Sequence, residues 1–290
     1  MSIGRQNPTG EFGHLGWAYT DHGEFLHRAA QYLEVGLNLG QQVAYVGDDD
    51  PSNLRAGLAA AGLGADAGDV DVKAVPEHFI FQARGDVVDA ERMAERYASA
   101  ARAAVARGYN GLRVVVDVTA VARTPAQREA QAALEILGGR RISTLPVAAM
   151  CAYDATELGD GAADGLLCLH PMAGPAPVPF QLYGQSAQHN AIALAGHLDA
   201  AGESLFAAAL QRILPLVKHP TVDIDARNLE FVGHRQLSLL DRCCAAHGLV
   251  AVLRSDRPVV QRLVNLLGFD NVRVGMAGWP SSPMSHDYAG

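Results

Sequence analysis

The sequence predicts an α/β protein in two parts, a mostly parallel sheet covered by helices followed by a smaller α/β unit. Three observations carry this. Short apolar stretches alternate with segments of helical periodicity, the pattern of strands buried on both faces. The stretch His170-Pro171-Met172-Ala173-Gly174-Pro175-Ala176-Pro177-Val178-Pro179 holds four prolines in ten residues, which continue neither a helix nor a central strand. Charge changes at the same place: through Pro175 there are 14 Lys/Arg against 22 Asp/Glu, and beyond it nine of each. The whole net charge of -8 therefore sits in the front. The 290 residues suit two domains, expected at 1–170 and 180–276, with a linker at 171–179 and a tail at 277–290.

The elements follow in order. His14 to Tyr19 reads as a buried strand, Thr20-Asp21-His22-Gly23 as a turn, and Glu24 to Gly36 as a helix with Phe25, Ala29, Tyr32 and Leu33 on one face. Gln42 to Val46 is a second strand, ending in Asp48-Asp49-Asp50, where Asp50 caps a helix opened by Pro51. A short strand near Val70 to Val75 precedes a long Ala-rich helix, Asp89 to Arg107. Leu112 to Asp117 is a β-branched strand running into a carboxylate, Pro125 to Leu137 a helix, and Val147 to Cys151 a strand. Behind the prolines come strands at Phe180–Gly184 and Ala191–Leu198. A helix at Gly202–Val217, a strand at Thr221–Asp225 and a helix at His234–His247 follow. The strand Leu249–Leu253, the helix Pro258–Leu267 and the strand Val272–Val274 complete the order ββαβαβαβ.

Composition excludes several classes. With 49% hydrophobic and 19% charged residues the chain is folded, not disordered. No apolar run approaches the ~20 residues of a membrane-spanning helix, and Met1 to Glu11 is polar, without the apolar core of a secretory signal. A cytoplasmic protein is expected, with no membrane partner. An acidic front without a basic stripe argues against direct nucleic-acid binding. Cys151, Cys168, Cys243 and Cys244 form no CxxC and read as reduced thiols. Cys151, Cys168 and His170 are too irregularly spaced for structural zinc, so neither metal nor cofactor is expected.

In parallel α/β sheets ligands bind beyond the carboxyl ends of the strands, which singles out Thr20–Gly23, Asp48–Asp50, Asp117 and Tyr153-Asp154. The order of parts resembles a RecA/KaiC-type nucleotide-binding domain, whose first loop is a P-loop and whose later strand ends in a magnesium-binding Asp, the place Asp117 takes. Here that loop has one Gly and no Lys, and the chain's two lysines, Lys73 and Lys218, follow no Gly-rich turn. A closer resemblance covers Gly13 to Pro171, carried by Gly13-His14-Leu15-Gly16-Trp17-Ala18-Tyr19, Val35 to Val46, Val114-Val115-Val116-Asp117, Cys151-Ala152-Tyr153-Asp154 and His170-Pro171. These stretches are similar to the MEDS domain, the methanogen/methylotroph sensory domain. That resemblance implies a RecA-like fold without a P-loop that senses a small molecule, not an enzyme. The expected ligand-binding residues are His14, Tyr19, His22, Asp48, Asp117, Tyr153 and Asp154. The plain alternatives are scaffold histidines and a solvated, helix-capping Asp48-Asp49-Asp50.

The back part resembles a STAS domain, the fold of anti-sigma-factor antagonists. Ala195-Gly196-His197-Leu198-Asp199, Val222 to Asp225, Leu229 to Val232 and Leu266-Leu267-Gly268-Phe269 carry the likeness. Active antagonists hold a phosphorylated Ser where this chain has Gly233-His234-Arg235-Gln236, and Ser238 does not align with it. The resemblance implies a partner-binding surface at His197, Gly233, His234, Arg235 and Gln236 that Ser phosphorylation does not switch, an anti-sigma factor or related regulator as partner, and compatibility with a homodimer. Two rival readings remain: a nucleotide-binding phosphotransferase or ATPase using Asp117, and a structural homodimer with decayed sites.

Overall fold

A computed structural model describes residues 12–83, 85–159, 161–185 and 191–275. The polar stretch Met1–Glu11 and the expected tail at 277–290 lie outside them. The front unit runs β1 (Gly13–Tyr19), α1 (His22–Asn38), β2 (Gln42–Gly47), α2 (Pro51–Leu58), β3 (Asp71–Ala74), α3 (Val75–His78) and α4 (Ala90–Ala106). It continues with β4 (Leu112–Asp117), α5 (Pro125–Ile142), β5 (Val147–Asp154), α6 (Ala155–Leu158), α7 (Asp164–Leu167) and β6 (Met172–Gly174). The six strands form one parallel sheet in the order β3-β2-β4-β5-β1-β6. Central β4 is buried at every position, which is why its sequence is a β-branched run without polar alternation.

Side chains cap the helices, at Asp50 as the sequence reading expects and at three further starts that it did not name. Asp50 accepts from the Ser52 amide and Asp89 from the Arg92 amide. Asp21 accepts from the Glu24 amide, and Thr124 and Gln127 bond reciprocally at the start of α5. On one face of the sheet, Phe25, Ala29 and Leu33 of α1 pack with Leu15, Tyr19 and Val115. On the other, α4 and α5 contribute Met93, Ala101, Leu134 and Ile136.

Two strands were not foreseen in the sequence. The Pro-rich stretch contains β6, because Met172-Ala173-Gly174 lies between prolines and its amides are free to pair with β1. Its place at the sheet edge is the one proline-flanked backbone tolerates. The other is β10 in the back unit. That unit runs β7 (Phe180–Gly184), β8 (Ala191–Leu198), α8 (Glu203–Ile213), β9 (Thr221–Asp225), β10 (Leu229–Val232), α9 (His234–Ala246), β11 (Val250–Arg254), α10 (Pro258–Leu267) and β12 (Val272–Val274). The second sheet has the order β10-β8-β9-β11-β12, with β7 antiparallel to β8 and the other pairs parallel.

Gly196 in β8 has φ +87°. A Cβ there would lie 2.7 Å from the Pro179 carbonyl oxygen, which also accepts from the His197 amide. Gly196→Ala is expected to cost about 2–3 kcal/mol of unfolding free energy, read from a urea titration of the full chain.

The two sheets are joined by direct packing. One apolar cluster includes Leu134, Ile136 and Leu166 of the front with Phe180, Leu182 and Phe206 of the back. The Leu182 amide donates to the Cys168 carbonyl at 2.7 Å. Arg212 on α8 forks onto Glu129 of α5 (Nε to Oε1 3.0 Å, Nη2 to Oε1 2.9 Å) and donates through Nη1 to the Gly165 carbonyl at 2.8 Å. Gly184 of β7 lies so close to α5 that a Cβ there would meet the Ile136 carbonyl oxygen at 2.5 Å.

Candidate functional site

The ligand-binding residues expected from the sequence separate into two groups on opposite faces of the sheet, because side chains alternate along a strand. Tyr19 and Asp117 end β1 and β4 on the α1 face. The Tyr19 hydroxyl donates to Asp117 Oδ2 at 2.7 Å, while Oδ1 accepts from the Thr119 amide at 3.1 Å and the Thr119 hydroxyl at 2.6 Å. Thr119 Oγ1 in turn accepts from the Asp154 amide at 2.9 Å. Burial pushes the Asp117 carboxyl above its ordinary range, against the pull of Thr119 and Tyr19. Burial and Asp117 likewise raise the Tyr19 phenol. The Tyr19 ring stacks on Phe25 at 4.5 Å, and the His22 ring meets it edge-on at 6.0 Å.

At the same strand ends, Arg123 joins Asp48 at 2.9 Å and also pairs with Glu157. Asp154 caps α6 through the Thr156 amide at 2.8 Å. The expected crevice is thus spanned by the protein's own hydrogen bonds and ion pairs. Only Thr20 and Asp21 link β1 to α1, too little backbone for a phosphate-cradling loop. Both Asp117 oxygens are engaged by Tyr19 and Thr119.

His14 and Tyr153 do not join this crevice. They point to the α5 face and meet Glu135, with Gln131, Cys151 and His170, in a buried polar cluster. Tyr153 was expected beyond a strand ending at Cys151, but β5 continues to Asp154 and keeps the tyrosine inside the sheet. Its hydroxyl donates to Glu135 Oε1 at 2.6 Å, and Gln131 Nε2 donates to the same oxygen. Glu135 Oε2 lies 3.1 Å from His14 Nε2, 3.2 Å from His170 Nε2 and 3.6 Å from Cys151 Sγ. His14 Nε2 is also 3.4 Å from Cys151 Sγ. His170 Nδ1 donates to the Leu166 carbonyl at 3.0 Å.

Local sequence builds this cluster. Gly16, two residues along β1 from His14, leaves space for His170: a Cβ there would lie 2.9 Å from its Nδ1 and from Leu167 Cδ2. Gln127, Gln131 and Glu135 recur every four residues on one stripe of α5 and are all buried. A polar stripe at four-residue spacing on a helix flanked by apolar strands is the signal by which Glu135 could have been found.

Electrostatics bind the cluster together. Burial works to raise the Glu135 carboxyl, but the His170 and His14 imidazoles outweigh it and hold the acid well below its ordinary range. Burial, then His170, push His14 down. Burial and Glu135 drive the Cys151 thiol and the Tyr153 phenol well up. His14, Glu135, Cys151 and His170 each offer one ligand atom, and these atoms all lie within 4.8 Å of one another, a donor set able to hold a metal. Their irregular spacing along the chain concealed this. A small cavity of about 30 Å³, room for one or two waters, is lined by His14, Tyr97, Gln131, Glu135 and Cys151 among apolar residues of β4, β5 and α5.

Of the expected partner surface, His197 is exposed at the end of β8 and pairs with Glu230 at 2.9 Å. Gly233 precedes α9, whose first residues His234 and Arg235 are exposed. Gln236 departs from the expectation. It is 2% exposed and turns inward, its amide donating to Glu203 Oε2 on α8 at 3.2 Å, because α9 packs on α8 through that face.

Among the described residues no helix is long and apolar enough to cross a membrane. No curated protein matches the chain. Among solved structures, the anti-sigma factor antagonist SpoIIAA in its unphosphorylated form aligns with 33% of this chain and 88% of its own, at 16% identity and a TM-score of 0.27. Residues 13–171 match the model of the methanogen/methylotroph, DcmR sensory domain, and since that span exceeds half the sequence, the chain belongs to the MEDS family.

Proposed function

We propose that the chain is a signalling protein in which the MEDS unit senses a small ligand at the α5 face and the back unit reports its state to a regulatory protein of the anti-sigma-factor type. One observation carries this reading: the same two segments supply the buried polar cluster and the contacts to the back unit. Helix α5 places Glu135 in the cluster and Glu129 on Arg212 of α8. The segment 164–170 places His170 in the cluster, while its Gly165 and Cys168 carbonyls accept from Arg212 and Leu182. A ligand shifts a two-state equilibrium only by its differential affinity for the two states. A change at Glu135 or His170 displaces backbone on which the back unit is seated. On the back unit, exposed His197, His234 and Arg235 with half-buried Gly233 offer the partner face, and the likeness of its sequence to STAS domains supports the kind of partner.

The test is binding of purified anti-sigma factors of the host to the full chain. Arg235→Glu is expected to abolish the complex, and Glu129→Lys to alter its affinity without touching the partner face. Binding indifferent to both substitutions would overturn the reading. Ser238 bonds back to the His234 carbonyl at 3.0 Å, and incubation with an anti-sigma kinase is expected to leave it unmodified. Titration of the full chain with magnesium-ATP is expected to give no binding heat, since the strand-end carboxylate is occupied and no phosphate loop precedes α1. Tight binding with turnover would restore the phosphotransferase reading.

A further inference from the structure

We propose that His14, Glu135, Cys151 and His170 form a tetrahedral zinc(II) site. The distances fit. Tetrahedral zinc with bonds of about 2.0–2.1 Å to nitrogen or oxygen and about 2.3 Å to sulfur sets its ligand atoms roughly 3.3–3.6 Å apart. Four of the six pairs stand 3.1, 3.2, 3.4 and 3.6 Å apart, on or close to that range, and all six lie within 4.8 Å.

Hydrogen bonding alone leaves the cluster mismatched. His170 is fully buried, and its Nδ1 carries the hydrogen given to the Leu166 carbonyl, since a carbonyl only accepts. Its Nε2 is buried without a hydrogen-bond partner, 3.2 Å from Glu135 Oε2. A buried polar nitrogen left without a hydrogen bond is costly, and a cation held between it and the carboxylate supplies the missing partner.

The surrounding groups orient the donors inward. The Leu166 carbonyl fixes the ring tautomer of His170, while Tyr153 and Gln131 occupy Glu135 Oε1 and leave Oε2 directed at the histidines. Outer hydrogen bonds of this kind hold ligating side chains in place. The donor types select the metal, because two imidazoles, one carboxylate and one thiol suit zinc and not the oxygen-seeking magnesium or calcium. On binding, the Cys151 S–H proton leaves to solvent as the zinc–sulfur bond forms, and the thiolate with Glu135 balances the dication. Four protein ligands make a closed site of the structural kind, joining β1, β5, α5 and the segment after α7. With zinc bound the four donors are filled, so the ion itself is the ligand that the sensory reading places at this cluster, and only its regulatory role rests on that reading.

The experiment uses the full chain, stripped with EDTA and reloaded with zinc or cobalt(II). One zinc per chain by elemental analysis is expected, together with a cobalt spectrum showing tetrahedral d–d bands and a thiolate charge-transfer band. Cys151→Ser should lose the charge-transfer band, and both Cys151→Ser and His170→Gln should weaken zinc binding by roughly 10–100-fold or more. Failure to take up stoichiometric zinc, or a thiolate band that persists in Cys151→Ser and so arises from Cys168, Cys243 or Cys244, would overturn the proposal. Hydrogen exchange of β7 and α8 separates the two readings. Zinc uptake that leaves this exchange unchanged supports the metal site and removes only its signalling role.

Discussion

Glu135→Ala is expected to lower the unfolding free energy of the EDTA-treated chain by about 3–5 kcal/mol, the cost of deleting one member of a buried ionic network. Five groups converge on this carboxylate: the Tyr153 hydroxyl, the Gln131 amide, the Cys151 thiol and the imidazoles of His14 and His170. Alanine leaves all of them in a site of almost no solvent exposure, where each orphaned polar group costs about 1–3 kcal/mol. Glu135→Gln keeps the shape and one acceptor for Tyr153, so it should lose less. Urea titrations of the three proteins check this. A loss below 1 kcal/mol for the alanine variant would mean that the cluster is solvated and not a packed network.

Acidification is expected to destabilise the protein through His78, a residue far from the sequence motifs. Burial, reinforced by Arg96 and Lys73 and opposed by Asp71, pushes its imidazole down to about 4. Its Nε2 accepts from the Tyr97 hydroxyl at 2.8 Å, a phenol that burial keeps protonated. The unfolded chain binds this proton near the ordinary 6.5 and the folded chain only near 4, so unfolding takes up a proton between those values. The contribution is whole above pH 6.5 and is lost as pH falls toward 4, by about 3 kcal/mol across the window. His78→Gln removes the titration and should flatten the acid limb of stability by that amount relative to wild type. Asp117 acts in the opposite sense: its raised pKa means that the folded state takes a proton more readily than the unfolded one, so its ionisation destabilises as pH rises. Equal acid slopes for wild type and His78→Gln would refute the assignment.

Local chemistry explains which features the sequence revealed. Leu112–Asp117 could be read as a strand because one covered on both faces has no polar alternation, and Asp50 before Pro51 marks a helix start because orphan amides need acceptors. The failures involve register and distance along the chain. Whether Tyr153 faces solvent or core depends on three more residues of β5, and a strand's face is set by pairing partners that no local window contains. The polar cluster draws on positions 14, 135, 151 and 170, brought together only because β1 and β5 are neighbours in the sheet. The strand β10 was missed because Leu229–Val232 is four residues long with two exposed positions, too short for periodicity to declare itself.

The close passage of Gly184 against α5 gives the molecule a rigid joint. At that point main chain touches main chain: Gly139 is so placed that its own Cβ would lie 3.3 Å from the Gly184 carbonyl. The Arg140 side chain lies beside the join, its Cγ 2.7 Å from where a Cβ of Gly184 would stand, so the spacing of helix and strand is fixed there, about two helical turns from the Glu129–Arg212 clasp. A shift of α5 at its glycine end is therefore passed directly to β7, backbone to backbone.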